Sequence, residues 1–219
     1  MATSVLAGLT LLVLGESHMS LAQHLTEPLN TALVDKGANV VSIGACGASA
    51  ADWLVAKKVD CGGEMRNAGK LLVKGNDAST TPIQELIKKE KPDVVVLVIG
   101  DTMASYDKPA FPKAWAWQSV TNLTKAIAAT NTKCVWVGPA WGKEGGKYQK
   151  NDMRTQLMSK FLASNVAPCT YVDSLKMSKP GEWITTDGQH FTVAGYKAWG
   201  AGIAEALAKL PADALKGGK

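Results

Sequence analysis

Asp187 and His190 stand three residues apart in Asp187-Gly188-Gln189-His190, a spacing that puts both side chains on one side of a turn. A serine hydroxyl beside such a pair completes the inventory for nucleophilic acyl transfer. The imidazole takes the hydroxyl proton, and the carboxylate fixes the imidazole tautomer. Ser17, in Gly15-Glu16-Ser17-His18-Met19, is the candidate nucleophile. Taken alone it reads as a helix N-cap after a strand, the commonest role for such a serine. The chain has only three histidines, which narrows the choice of base. His24 falls in a stretch that reads as helix and is expected to be a partly exposed surface residue. His18 directly follows Ser17, and adjacent side chains diverge, so a supporting role is expected of it. His190 is therefore assigned as the base and Asp187 as its orienting acid.

Acyl transfer also needs donors aimed at the developing oxyanion. Small-residue segments that could supply them are Gly44-Ala45-Cys46-Gly47-Ala48-Ser49 and Gly100-Asp101-Thr102-Met103. The four cysteines and three histidines show no C-x-x-C or H-x-x-x-H spacing, so no metal site is expected. No G-x-G-x-x-G follows the first predicted strand, so no dinucleotide and no other cofactor is expected.

These segments need a scaffold that brings them together. Five short apolar runs read as strands: Leu11 to Leu14, Asn39 to Ile43, Asp93 to Ile99, Cys134 to Val137 and Thr170 to Asp173. Continuous rather than alternating apolar residues indicate strands covered on both faces. Longer amphipathic stretches separate them: 20–35, 82–90, 115–129, 152–163 and 193–209. Pro28 predicts a kink or a split in the first of these. The alternation predicts an α/β fold: a three-layer α/β/α sandwich, flavodoxin-like, around a central parallel five-stranded sheet. In such a sheet, ligands bind outside the carboxyl ends of the strands, where all four chemical segments fall. The stretch from Val59 to Thr81 lacks periodicity and reads as a long excursion from one domain spanning 1–219. Its last residues, Lys216 to Lys219, are expected to fray.

Composition agrees with an ordinary folded domain. Of 219 residues 46% are hydrophobic, and a chain of this length buries about 70% of its unfolded surface. The net charge of +5 comes from 24 basic residues of which only Arg66 and Arg154 are arginine. Base-edge and bidentate phosphate readout favour arginine, so no nucleic-acid partner is expected. The apolar stretch from Val5 to Leu14 is too short for the roughly 20 residues of a transmembrane helix. It also lacks the flanks of a signal peptide, although the opening Met1-Ala2-Thr3-Ser4 fits a start left after a signal has been removed.

Taken in order, the segments resemble the blocks of the SGNH (GDSL-type) hydrolases. Gly15-Glu16-Ser17-His18 is similar to the first block, with Glu16 where aspartate is common. Ser42 to Ser49 resembles the second, with Gly47 as its last glycine. Asp187-Gly188-Gln189-His190 matches the Asp-x-x-His of the fifth, and Phe191-Thr192-Val193-Ala194-Gly195-Tyr196 continues it. The resemblance covers Leu11 to Leu207 and implies a Ser17–His190–Asp187 triad acting on small acyl esters, including acetyl groups on carbohydrates. It implies an oxyanion hole built from Ser17, Gly47 and the third-block residue. That block departs from Gly-x-Asn-Asp: Thr102 stands at the asparagine position. A threonine hydroxyl donates one bond at shorter reach. A weak hydrolase, an acyltransferase onto a sugar hydroxyl, or an inactive carbohydrate-binding module would each be compatible with that change.

Seven tryptophans against three phenylalanines suggest a sugar-stacking platform, for which Trp115, Trp117 and Trp141 near the third and fourth strand ends are the candidates. The cysteines carry a further expectation. Cys134 and Cys169 each open a predicted strand, and neighbouring parallel strands lie about 4.8 Å apart, within disulfide reach. Cys46 and Cys61 are then the second pair. Two bridges would place the protein in an oxidising compartment, the periplasm or the cell exterior.

Overall fold

The computed structural model describes residues 4–216. The expected fraying of Gly217 to Lys219 and the opening Met1 to Thr3 lie outside the described residues. In chain order the elements are β1 (Thr10–Gly15), α1 (Thr26–Val34), β2 (Asn39–Ala45), β3 (Gly62–Arg66), β4 (Leu72–Lys74), α2 (Ile83–Glu90) and β5 (Val94–Val98). Then follow α3 (Asp101–Ala104), α4 (Lys113–Ala128), β6 (Lys133–Val137), α5 (Asp152–Asn165), β7 (Thr170–Val172), α6 (Val193–Ala208) and α7 (Ala212–Leu215). No helix among the described residues is long and apolar enough to cross a membrane.

One sheet runs β4-β3-β2-β1-β5-β6-β7. The five expected strands form its parallel part, β2-β1-β5-β6-β7. Two antiparallel strands, β3 and β4, extend it to seven. They fall within 59–81, the stretch read as a long excursion, and join it to the sheet. Their signal was weak for a physical reason. β3 opens on Gly62-Gly63, and β4 is an edge strand of three exposed residues, so neither shows a continuous apolar run.

Side chains of the parallel strands alternate between the two faces, and each face has its own core. Leu12, Leu14, Val95, Leu97 and Trp136 pack with Leu86 of α2, Leu123 of α4 and Leu162 of α5. Leu11, Val13, Val96, Val98 and Val135 pack on the opposite side with Leu29 of α1 and Trp199 and Ile203 of α6. Each such buried side chain contributes about 1.5–3 kcal/mol relative to exposure. The chain winds from β1 to β2 in one direction and reaches β5 on the other side of β1. The crevice at that reversal, outside the ends of β1 and β5, is where an α/β sheet opens to a ligand.

The first helix is shorter than its apolar pattern suggests. A 3₁₀ turn occupies Ser17–Met19, further turns follow, and α1 begins only at Thr26. Gln23 has φ +64°, which breaks any helix running through it. Pro28 therefore falls in the first turn of α1, where a missing N–H costs nothing, and it neither kinks nor splits the helix. His24 lies ahead of the helix rather than on its surface.

The cysteines pair as Cys134–Cys169, with Cα atoms 4.6 Å apart, and Cys46–Cys61, at 5.2 Å. The β6–β7 register aligns Val135 with Thr170, so the first pair sits one residue before it. The second closes the loop that carries Gly47, where the Cys46 amide also donates to the Cys61 carbonyl at 2.8 Å. Closing loops of this size stabilises a fold by about 2–4 kcal/mol. Cys134→Ala/Cys169→Ala should lower unfolding free energy by that order in denaturant titration, and the unreduced denatured wild type should titrate near-zero free thiols.

Candidate active site

Ser17 leaves β1 in its 3₁₀ turn, and that turn lies directly on the neighbouring strand. A Cβ on Gly44 would sit 2.3 Å from the Met19 carbonyl oxygen, so only glycine admits the turn here. At the opposite wall of the crevice the chain enters α6 through Asp187-Gly188-Gln189-His190. Gly188 takes φ +95°, folding the segment so that one Asp187 carboxylate oxygen accepts the amides of Gln189 (3.0 Å) and His190 (2.7 Å). The other accepts from His190 Nδ1 at 2.7 Å, and His190 Nε2 meets Ser17 Oγ at 2.7 Å. Partial burial pulls the Asp187 carboxyl upward, but the amide and ring of His190 outweigh it and hold it below the ordinary carboxylate range. An ionised Asp187 requires hydrogen on Nδ1, which leaves Nε2 free to accept the serine proton.

A cleft of about 570 Å³ opens above this line, with Ser17, Gly47, Thr102, Asp187 and His190 among its lining residues. Among the described residues, the amides of Ser17 and Gly47 donate to no protein acceptor. Gly47 lines the cleft with φ +67°, and nothing lies within 4 Å of the position a Cβ would take there. The Thr102 amide is committed elsewhere, to Glu16 at 2.5 Å, and its hydroxyl also pulls on the Glu16 carboxylate, so it would have to turn from Glu16 to reach an oxyanion.

The floor of the site is a buried polar network. Glu16 reaches from the end of β1 to the start of α3, accepting the amides of Gly100 (3.0 Å), Asp101 (2.7 Å) and Thr102 (2.5 Å). Burial and then the Asp101 charge push its carboxyl above the ordinary range, against the pull of those donors. For Asp101, burial also acts upward. The Lys150 ammonium and the His18 hydrogen bond prevail, and its carboxyl stays well below the usual range. Lys150 is itself buried, bonding Asp101 and, at 3.0 Å, the Ala140 carbonyl. His18 lies between Asp101 (Nε2, 2.7 Å) and the Tyr196 hydroxyl (Nδ1, 2.9 Å). Burial lowers its pKa to about 4, so the ring is neutral: Nε2–H donates to Asp101 and Nδ1 accepts from Tyr196.

Sequence reasoning missed part of this site. Lys150 sits in the run Gly145-Gly146-Lys147-Tyr148-Gln149-Lys150, which reads as solvated loop, and nothing local marks one lysine as buried. Tyr148 lines the cleft with its ring 5.2 Å from His190. His24 also lines it, partly exposed as expected but ahead of the helix rather than on it. The expected tryptophan platform is absent: none of the three lines the cleft. Trp115 and Trp117 lie two apart on α4, so their side chains diverge by about 200° around the helix. Trp141 donates its indole N–H to the Leu175 carbonyl at 2.9 Å.

The sheet order gives a fold shared with a solved GDSL-like lipase and an acetyl xylan esterase. No family model matches the chain. It is 41% identical to Protein BcsX of Komagataeibacter xylinus over 206 residues, 93% of this chain and 78% of that protein, and it belongs to the BcsX family. Among solved structures, a GDSL-like lipase from Bacteroides thetaiotaomicron superposes with a TM-score of 0.57 at 13% identity, covering 95% of this chain and 92% of the other. An acetyl xylan esterase superposes with a TM-score of 0.58 at 14% identity, covering 90% and 99%.

The buried network makes a prediction for acid. The unfolded chain binds a proton on His18 near pH 6.5, whereas the folded ring resists until about 4. The stability His18 contributes is therefore complete above 6.5 and lost as pH falls towards 4. Glu16 acts with the opposite sign: its raised pKa contributes stability on the acid side that fades as pH rises through the folded value. Histidine NMR should show the His18 ring unchanged from pH 8 to 5 and titrating near 4. A midpoint near 6.5 would contradict its burial.

Proposed function

We propose that this protein is a serine esterase that removes small acyl groups, acetyl foremost, from carbohydrate esters. The observation that carries the reading is the continuous 2.7 Å line from Ser17 Oγ through His190 to Asp187, facing a cleft in which two unengaged amides also stand. Ser17 attacks the ester carbonyl while its proton passes to His190 Nε2. The developing oxyanion is held by the amides of Ser17 and Gly47 and by the Thr102 hydroxyl. The alcohol leaves with the proton from His190. Water, deprotonated by the same ring, then attacks the acyl-enzyme and releases the acid and Ser17. No step calls for a cofactor. The likeness to an acetyl xylan esterase and a GDSL-like lipase supports ester chemistry on this fold. The two disulfides support work in an oxidising compartment, the periplasm or cell exterior.

A fluorophosphonate probe should label the wild type stoichiometrically and leave Ser17→Ala unlabelled, with acetyl-ester turnover lost in parallel. Absence of labelling in folded wild type that still binds glycans would replace the esterase with a binding module. Thr102→Val removes only the hydroxyl at nearly constant volume. It should lower kcat by about tenfold with little change in KM, as loss of a transition-state donor does. An unchanged kcat would assign the oxyanion to the two amides alone.

A further inference from the structure

His24 shares the cleft with Ser17 and His190 and has no part in the proton path above. Its Nδ1 lies 3.1 Å from the Ser17 carbonyl oxygen. A carbonyl oxygen only accepts, so Nδ1 carries the hydrogen. Partial burial holds the ring below the ordinary histidine pKa, which keeps it neutral and leaves a lone pair on Nε2. Among the described residues Nε2 has no protein partner, and it is not sealed from solvent.

The ring is also held in place. It stacks on Tyr196 with centroids 4.9 Å apart and planes 26° apart, and on His190 at 5.5 Å and 28°. The backbone on either side is pinned. Leu25 N–H donates to the His18 carbonyl at 2.9 Å, and Gln23 N–H donates to Glu27 at 2.5 Å. Gln23 is a non-glycine residue in the left-handed region, a conformation that persists only where surroundings enforce it. The chain thus fixes tautomer, plane and position of an imidazole beside the nucleophile.

An ester group has no use for such an acceptor, because its carbonyl and bridging oxygens only accept hydrogen bonds. A neighbouring hydroxyl on the alcohol does. We propose that His24 is a specificity-determining residue whose Nε2 accepts a hydrogen bond from a free hydroxyl of the substrate alcohol, selecting esters of polyhydroxylated alcohols such as partly acylated sugars. The assignment rests on the esterase reading and narrows its substrate class.

The test compares kcat/KM for two substrates: a methyl glycoside monoacetate with a free hydroxyl next to the ester, and its counterpart with that hydroxyl O-methylated. Wild type should prefer the free hydroxyl by about tenfold, the scale of one net hydrogen bond. His24→Phe keeps a stacked ring without nitrogens and should bring the ratio near one. His24→Gln, whose amide reaches the Nε2 position, should recover part of it. A merely structural role would lower both rates together, so a wild-type ratio retained in His24→Phe overturns the proposal, as does a wild-type ratio of one. Wild type that hydrolyses neither glycoside nor p-nitrophenyl acetate would overturn the esterase reading, and this one with it.

Discussion

The Glu16 carboxylate ties the end of β1 to the start of α3, and the site depends on that tie. β1 and β5 are neighbours, but their ladder ends at Gly15 and Val98, and beyond it the two chains separate into the crevice. Three amides converging on one carboxylate hold them together across the gap. Ser17 follows Glu16 directly and Thr102 gives its amide to it, so nucleophile and third-block residue are located by the same side chain. Desolvating a carboxylate costs several kcal/mol, and a buried charge persists only with full hydrogen bonding. The amides at the start of α3 lack helical partners in any case, so Glu16 satisfies them while they solvate it.

The same accounting explains why the second buried carboxylate needs a lysine. Asp101 has His18 on one oxygen, but a neutral ring supplies one hydrogen bond and no charge. Lys150 supplies the countercharge and, through its bond to Ala140, is kept from reaching solvent. Its loop is thereby drawn over the acid side of the triad. The Lys143 and Lys147 amides donate to the carbonyls of Gly188 and Asp187, and a Cβ on Gly146 would sit 2.3 Å from the Asp187 carbonyl oxygen. A buried charge on the floor and a glycine contact at the rim therefore position one carboxylate from two sides.

What could be read from the chain follows from which interactions are local. The parallel strands declare themselves because burial on both faces demands runs such as Val94 to Val98. Asp187 and His190 are legible because their pairing is made within four residues. The Cys134–Cys169 pair follows from strand adjacency, and Cys46–Cys61 is the pair that remains. Lys150, by contrast, acquires its meaning from Asp101, 49 positions away, and no composition marks it. β3 and β4 escaped because glycine and edge exposure remove the apolar signal. The first helix was overextended because Leu21, Leu25, Leu29 and Leu33 keep a helical spacing. The left-handed turn at Gln23 outweighs that periodicity, and Leu21 faces the cleft instead of a core.

The crevice also gathers both other histidines against His190. His18 and His24 lie 5.1 and 5.5 Å from His190, ring to ring. Protonating two such rings together would place like charges in a partly desolvated space, where Coulomb repulsion is strong. The arrangement avoids this by giving each ring a different fate. His18 is buried and spans Tyr196 and Asp101 as a neutral relay, and no nucleophile reaches it. His24 gives its one hydrogen to the Ser17 carbonyl, and partial burial outweighs that bond and holds the ring below the ordinary histidine pKa. His190 has an ionised carboxylate on one nitrogen and, on the other, the hydroxyl of the nucleophile itself. The proton that leaves Ser17 therefore has one stable destination, and the two neutral rings beside it favour that outcome by remaining uncharged.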